Sequence, residues 1–210
     1  MLNYVKKPNF ILEIGCGTGK FGAKFSNDGF FIVGIDKAIN MLRVAKTRAY
    51  KNFRIFSADM KEFYISRKPD FVFCVHDTIN YLLCIEDIKQ FFLHIKSLLK
   101  KDSVFMFDMT TEYNIFSNFN NKKMQEKHQG REITWNNFYN RTEKIVRSIL
   151  TFSFNDTYLI EEHEQRIYSI DEISAMLKET GFYILDICSD YTMMEPNNKT
   201  VMVNFIVKLI

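Results

Sequence analysis

Glycine and proline are scarce in this chain, with 8 and 3 among 210 residues. No repeat, low-complexity tract or linker interrupts it, so collagen-like and Pro/Gly-rich disordered classes are excluded. No apolar run approaches the length of a membrane span, and the opening segment MLNYVKKPNF holds no apolar signal core. Neither sign of charge dominates: the net charge is +3, with no basic tract. Nothing therefore argues for a nucleic-acid or anionic-membrane partner. The four cysteines, Cys16, Cys74, Cys84 and Cys188, lack the paired spacing of zinc or redox sites. They are expected to be reduced thiols, mostly packing, in a cytoplasmic protein.

What is abundant is apolar surface. Aromatic residues make up 15% of the chain, and 21 residues are Phe. Short, nearly unbroken apolar runs predict strands at Phe10–Ile14, Phe31–Ile35, Phe53–Ser57, Phe71–Val75 and Ser103–Asp108. Between them, 3.6-residue periodicity predicts helices over Gly19–Ser26, Asn40–Tyr50 and Ile85–Leu99. Unbroken apolar strands suit a parallel sheet covered on both faces, and the alternation with helices indicates an open α/β fold.

After Asp108 the pattern changes. Three long strands are expected between Arg131 and Tyr168, with turns near Asn140–Thr142 and Asn155–Asp156. In the middle one Val146, Leu150, Phe152 and Phe154 share a face, as in a half-buried antiparallel sheet. Ser169 and Glu172 form a capping box for a helix that Gly181 closes. Phe182–Ser189 and Val201–Leu209 then read as a terminal hairpin. The expected fold is α/β: a Rossmann-like open sheet, mostly parallel, with an antiparallel last strand and a small inserted antiparallel β-sheet. Its parts are a core over 1–110, an inserted sheet over 111–168 and a helix and hairpin over 169–210.

The scarce glycines cluster in ILEIGCGTGKFG, directly after the first strand. Gly15, Gly17 and Gly19 permit unusual φ and let a ligand approach the backbone in the crevice above the sheet. The spacing is G-x-G-x-G, preceded by Glu13, and not the G-x-G-x-x-G of a pyrophosphate cradle.

In order along the chain, EIGCGTG, VGIDKAINMLRVAK, FSADMKEF and DFVFCVHDTINYLL resemble the successive motifs of class I S-adenosylmethionine-dependent methyltransferases. The terminal hairpin matches that family's reversed last strand. The resemblance implies S-adenosyl-L-methionine as cofactor, S-adenosyl-L-homocysteine as product, and no metal. It places Asp36 on the ribose hydroxyls, Asp59 on the adenine amino group and Met60 beside the ring. Glu13, Gly15, Cys16, Gly17, Gly19, Lys37, Met41 and His76 complete the implied cofactor site. Asp36 or Asp59 alone would read as a helix cap or solvated turn residue. As an ionised acceptor of two hydroxyls, Asp36 is worth about 1.5–3 kcal/mol of binding.

Within the family the segment His76–Tyr81 is most similar to small-molecule enzymes, including N,N-dimethyltransferases of amino sugars. That implies methyl transfer by in-line displacement to a nitrogen, or an oxygen, of a small molecule. Tyr81 is the first candidate to orient the acceptor, and His76 or Asp77 the second, as proton acceptor or cofactor contact. Tyr81 opens an apolar run with Leu82 and Leu83, so a core-facing tyrosine is the competing expectation; Asp77 competes as a cap. Candidate acceptor contacts are Asn80 and Tyr81 in this segment, and Trp135, Tyr139, His163 and Arg166 in the inserted sheet. On a straight strand His163 and Arg166 point to opposite faces, so both reach the pocket only across a bulge. Otherwise Arg166 shares a face with Glu162 and Glu164, where surface pairing is expected.

Relatives carry a helix before the first strand, which here opens at Phe10. The expectation is truncation, a more open site, or a partner that closes it; the chain itself reads as a monomer or homodimer. Two rival activities follow from the same fold, methylation of RNA or protein and a non-catalytic scaffold. The mild charge and the missing Asn/Asp-Pro-Pro-aromatic signature oppose the first, and the intact glycines with Asp36 and Asp59 oppose the second.

Overall fold

The computed structural model describes residues 4, 8–120, 122–128, 131–154 and 157–210. Seven strands form one sheet: β1 (Phe10–Ile14), β2 (Phe31–Asp36), β3 (Phe53–Ser57), β4 (Phe71–Cys74), β5 (Val104–Thr110), β10 (Phe182–Ser189) and β11 (Met202–Leu209). Their order is β10-β11-β5-β4-β1-β2-β3. The pairs among β1 to β5 are parallel, whereas β11 runs antiparallel to both β5 and β10. The sheet is thus mostly parallel with a reversed final strand, as the sequence predicts. The strand order reverses between β1 and β4, and the crevice above that point is the usual place for a ligand in such sheets.

Alternation along these strands feeds both faces. Leu12, Ile14, Val72, Phe105 and Phe107 pack against α3 (Ile85–Leu98) and α5 (Ile170–Thr180). Ile11, Phe71 and Phe73 join Ile32 and Phe53 on the opposite face, where Phe21 and Phe25 of α1 (Lys20–Asn27) cover them. Both faces being dry explains why the strands read as continuous apolar runs. Cys16, Cys74 and Cys188 are buried in this core, and Cys84 is half-buried. Among the described residues no helix is long and apolar enough to cross a membrane.

α2 (Ile39–Lys46) stops short of the predicted Tyr50. Thr47 there turns its hydroxyl back onto the Val44 carbonyl, Arg48 N bonds the carbonyl three residues back, and Lys51 takes φ +52°. Before the three expected long strands lies a fourth, β6 (Lys123–His128), which the polar segment KMQEKH does not announce. With β7 (Arg131–Asn140), β8 (Ile145–Phe154) and β9 (Thr157–Arg166) it makes an antiparallel sheet in sequential order. A short helix α4 (Glu112–Asn114), continued by a wider turn to Phe119, leads into it. Asn140 Oδ1 accepts from Thr142 N and Glu143 N at 3.0 and 3.3 Å and makes the predicted turn. The turn expected at Asn155–Asp156 lies outside the described residues. Ser169 and Glu172 form the capping box at α5, and Gly181 ends it at φ +88°.

One glycine of the motif has a purely packing role. A Cβ on Gly22, within α1, would stand 2.3 Å from the Phe53 ring. Gly→Ala inside a helix normally stabilises by up to about 1 kcal/mol, but the collision decides the sign here. Gly22→Ala is expected to lower stability by about 1–3 kcal/mol in chemical denaturation. A gain would contradict the tight α1–β3 contact.

Candidate active site

The glycine turn after β1 separates into three jobs. A Cβ on Gly15 would sit 2.5 Å from the Thr78 side chain, and one on Gly19 2.9 Å from Phe53. At Gly17, with φ +51°, nothing stands within 4 Å of that position. Only Gly17 faces open space. All three take the positive φ expected of them, and at Gly15 and Gly19 the protein's own side chains also leave no room for a Cβ.

Asp36, at the end of β2, closes the turn from the other side. Its Oδ2 accepts from Gly17 N at 2.7 Å and its Oδ1 from Ala38 N at 2.8 Å. An ionised carboxylate has about four acceptor positions, so two remain. Below Gly17 lies Glu13, 3% exposed, with Oε2 buried and without a hydrogen-bond partner. Burial pushes its carboxyl up to about 8; the Gly22 amide opposes this and the nearby Asp36 adds to it. Burial likewise drives the Cys16 thiol far above its ordinary value, so Cys16 is packing and not a nucleophile.

At the end of β3, Asp59 Oδ1 accepts from Lys61 N and Oδ2 from Lys37 Nζ, both at 3.0 Å. The Lys61 amide, ahead of the Lys37 ammonium, holds this carboxyl below its usual range. Met60 packs on the core and is half-buried, whereas Met41 on α2 is exposed.

The turn after β4 is the most unusual backbone in the site. His76 and Asp77 take φ +59° and +50° in succession, before a 3₁₀ turn over Thr78–Tyr81. Gln165 Nε2 of β9 donates to Asp77 Oδ2 at 2.6 Å. Burial, reinforced by the charge of Asp108, pushes the Asp77 carboxyl up to about 6, against the Gln165 hydrogen bond and His76. Tyr81 Oη shares a hydrogen bond of 3.2 Å with His163 Nδ1, and His163 Nε2 lies 3.6 Å from Glu161. Desolvation of its hydroxyl and then the carboxylates of Asp77, Asp36 and Glu161 push Tyr81 up to about 12. The ring is 45% exposed, so Tyr81 faces the opening and not the core.

Asn80 is fully buried, and its amide is spent on backbone: Nδ2 donates to Arg166 O and Oδ1 accepts from Thr110 N. Pairing of β9 with β8 is continuous, without a bulge. His163 therefore turns to Tyr81, while Arg166 packs its guanidinium over the Tyr168 ring and donates to Leu83 O. Glu164 pairs instead with Arg147, so the expected surface pairing of Arg166 does not form. Trp135 and Asn137 share a face with Tyr139, whose hydroxyl donates to Glu112 at 2.9 Å and whose ring packs on Phe116. The residues missed from the sequence are Gln165, Glu161 and Asp108. Gln165 and Glu161 lie two residues either side of His163, on its face, and that spacing is the signal that would have found them.

These features fit an adenosyl sulfonium compound: open space at one glycine of the turn and carboxylate acceptors at two strand ends. A family profile described as a methyltransferase domain matches residues 11–102. A candidate methyltransferase of Geobacillus sp. is 30% identical over 206 residues, covering 94% of this chain and 83% of that one. An S-adenosylmethionine-dependent methyltransferase from Clostridium acetobutylicum superposes with TM-score 0.84 at 26% identity, covering 95% of this chain and 83% of that chain. CalS10 from Micromonospora echinaspora, an amino pentose methyltransferase solved with S-adenosylmethionine, shares the fold at TM-score 0.72 and 16% identity, covering 97% and 84%.

The buried Glu13 makes stability depend on pH. Its folded value, about 8, lies above the ordinary 4.5, so its contribution is complete below pH 4.5 and is lost as pH rises through 8. Glu13→Gln should therefore gain on the wild type between pH 5 and 8, by on the order of 3 kcal/mol. Denaturation curves at several pH values check this, and a constant difference would refute it.

Proposed function

The chain belongs to the class I S-adenosylmethionine-dependent methyltransferases, and on that premise we propose that it methylates a nitrogen, or an oxygen, of a small molecule. The observation that carries this reading is how β9 seats the inserted sheet on the turn after β4. Gln165 reaches Asp77 at 2.6 Å and His163 reaches Tyr81 at 3.2 Å, so chemistry-bearing groups from both parts face one opening. The fold shared with an amino pentose methyltransferase supports a nitrogen acceptor.

When bound, S-adenosylmethionine supplies a methyl group on an already activated sulfonium sulfur. The residues that would hold it are Gly17, by close backbone approach, Asp36, by its two free acceptor positions, and Asp59 with Met60 at the adenine end. Lys37 Nζ, 3.0 Å from Asp59 Oδ2, would keep that carboxylate in place. Glu13 offers its unpartnered Oε2 beneath the turn.

On the acceptor side, Asp77 is ionised above about pH 6. It attracts an ammonium group and takes up its proton, which frees the nitrogen lone pair for attack. Tyr81, held as the phenol by its raised pKa, orients the acceptor by hydrogen bonding and does not act as base at neutral pH. His163 fixes the direction of that hydroxyl. Trp135 offers an apolar surface, and the seated sheet excludes water. Alignment of this kind supplies several kcal/mol of the barrier reduction.

Calorimetric titration tests the reading at its base. The wild type should bind S-adenosylmethionine and S-adenosylhomocysteine. Asp36→Asn should weaken both at least about tenfold, since a neutral amide replaces a charge-assisted acceptor. No binding by the wild type would reject the proposal. Transfer of labelled methyl from the cofactor to a small soluble product would support a small acceptor, and label retained on RNA or protein would reject it.

A further inference from the structure

We infer that Asp108 and Tyr191 are positioning residues of the methyl-transfer site, clamping the His76–Asp77 turn between the end of β5 and the terminal hairpin. Asp108 is fully buried, yet it carries a carboxylate. Its Oδ2 accepts from His76 N at 2.8 Å and its Oδ1 from Asp77 N at 2.6 Å. The Tyr191 hydroxyl donates to Oδ2 as well. Two successive amides thus converge on one anion, a concave arrangement that backbone adopts around negative charge.

That arrangement demands left-handed backbone at two residues that are not glycine. Such residues are uncommon, and two in succession persist only where surroundings over-determine them. A glycine pair would adopt the turn freely, but without the carboxyl that Gln165 of β9 reaches and the imidazole that packs beside Phe21. Asp108 makes this turn available to side chains that do chemistry. Strand alternation supports the assignment: Met109 belongs to the core on the α3 and α5 face, so Asp108 projects to the opposite face, toward His76.

The hairpin half of the clamp is equally specific. Asn204 of β11 stands directly across from Asp108 and accepts from Tyr191 N at 2.7 Å. Asp190, one residue earlier, pins the same loop by accepting from Val201 N and Met202 N at 3.0 and 2.8 Å. Asp190 and Tyr191 are themselves left-handed, at φ +51° and +58°. The reversed last strand, which reaches no part of the cofactor cradle, thereby acquires a role at the reacting centre. The titratable groups facing Asp108 are His76 and Asp77 from the turn, Cys74 from β4 and Tyr191 from the hairpin.

The inference rests on the reading that the cofactor lies over this turn, and two readouts keep them apart. Carboxyl carbon-13 NMR of the free protein follows the Asp77 signal, identified by its absence in Asp77→Asn. It should titrate near 6 in the wild type. In Asp108→Asn it should fall by about one pH unit or more, because the neighbouring charge and one amide anchor are gone. Calorimetry should show S-adenosylhomocysteine binding about tenfold more weakly in the same variant. An unmoved Asp77 midpoint in folded Asp108→Asn overturns the inference, whether or not the cofactor binds. Absence of cofactor binding in the wild type overturns only the functional reading. Where Asp108→Asn does not fold, Tyr191→Phe carries the test. Without the phenol donor Asp108 takes up its proton sooner, so cofactor affinity on acidification should fail at higher pH than in the wild type. An unchanged acid limb in Tyr191→Phe overturns the inference.

Discussion

The hydrogen bonds from Gly17 and Ala38 to the Asp36 carboxylate are the constraint on which the turn after β1 depends. They join the ends of β1 and β2 beside the point, between β1 and β4, where the strand order reverses, and they fix a carboxylate beside Gly17, the one of Gly15, Gly17 and Gly19 with open space at its Cβ position. Remove the carboxylate and the turn loses its anchor; on the proposed reading the ligand loses its acceptor with it. The same group sets the cost of its neighbours, since its field adds to the burial that keeps Glu13 largely protonated at neutral pH. The proposed reading thus couples structure and binding through one carboxylate.

A second carboxylate, Asp108, does the corresponding work for the acceptor side. The two are alike in mechanism: each sits at the carboxyl end of a buried strand and accepts from backbone amides of a positive-φ turn. They differ in exposure. Asp36 is half-buried and keeps acceptor positions for a ligand, whereas Asp108 is fully buried and its carboxyl is raised by desolvation. The first is built to meet a molecule, the second to shape the protein. The body supplies the strand ends, and the inserted sheet reaches the turn after β4 through His163 and Gln165.

The sheet order and the positive-φ glycine turn after β1 were largely legible in the residues, because both write themselves locally. Unbroken apolar strands alternating with amphipathic helices leave few topologies, and a glycine cluster after the first of them marks the crevice. What escaped was set by tertiary contact. KMQEKH carries no apolar alternation, so β6 exists only because β7 pairs with it. Asn80 looked like a binding residue by its place beside Tyr81, but its amide is consumed by Arg166 and Thr110, residues distant in sequence. Arg166 was expected among glutamates on a strand surface; the end of β9 instead tucks it against Tyr168. Gly15 and Gly19 take the positive φ expected of them, +68° and +73°, but the side chains that crowd them, Thr78 and Phe53, come from other elements and are not legible locally.

On the proposed reading, the proton on the acceptor matters more than its shape. An amine with a lysine-like pKa of about 10.4 must give up roughly 4–5 kcal/mol to present its lone pair at pH 7, against about 1.4 kcal/mol for one near 8. Asp77, titrating near 6, is a weak base that can hold an ammonium but gains little by deprotonating a strong one. The carboxylates of Asp77, Asp36 and Glu161 around Tyr81 stabilise the cation further and so deepen that cost. The site therefore suits amines whose pKa is already lowered by neighbouring electronegative groups. Alkylamines of high pKa would be attracted to the same opening yet seldom reach it in the reactive form.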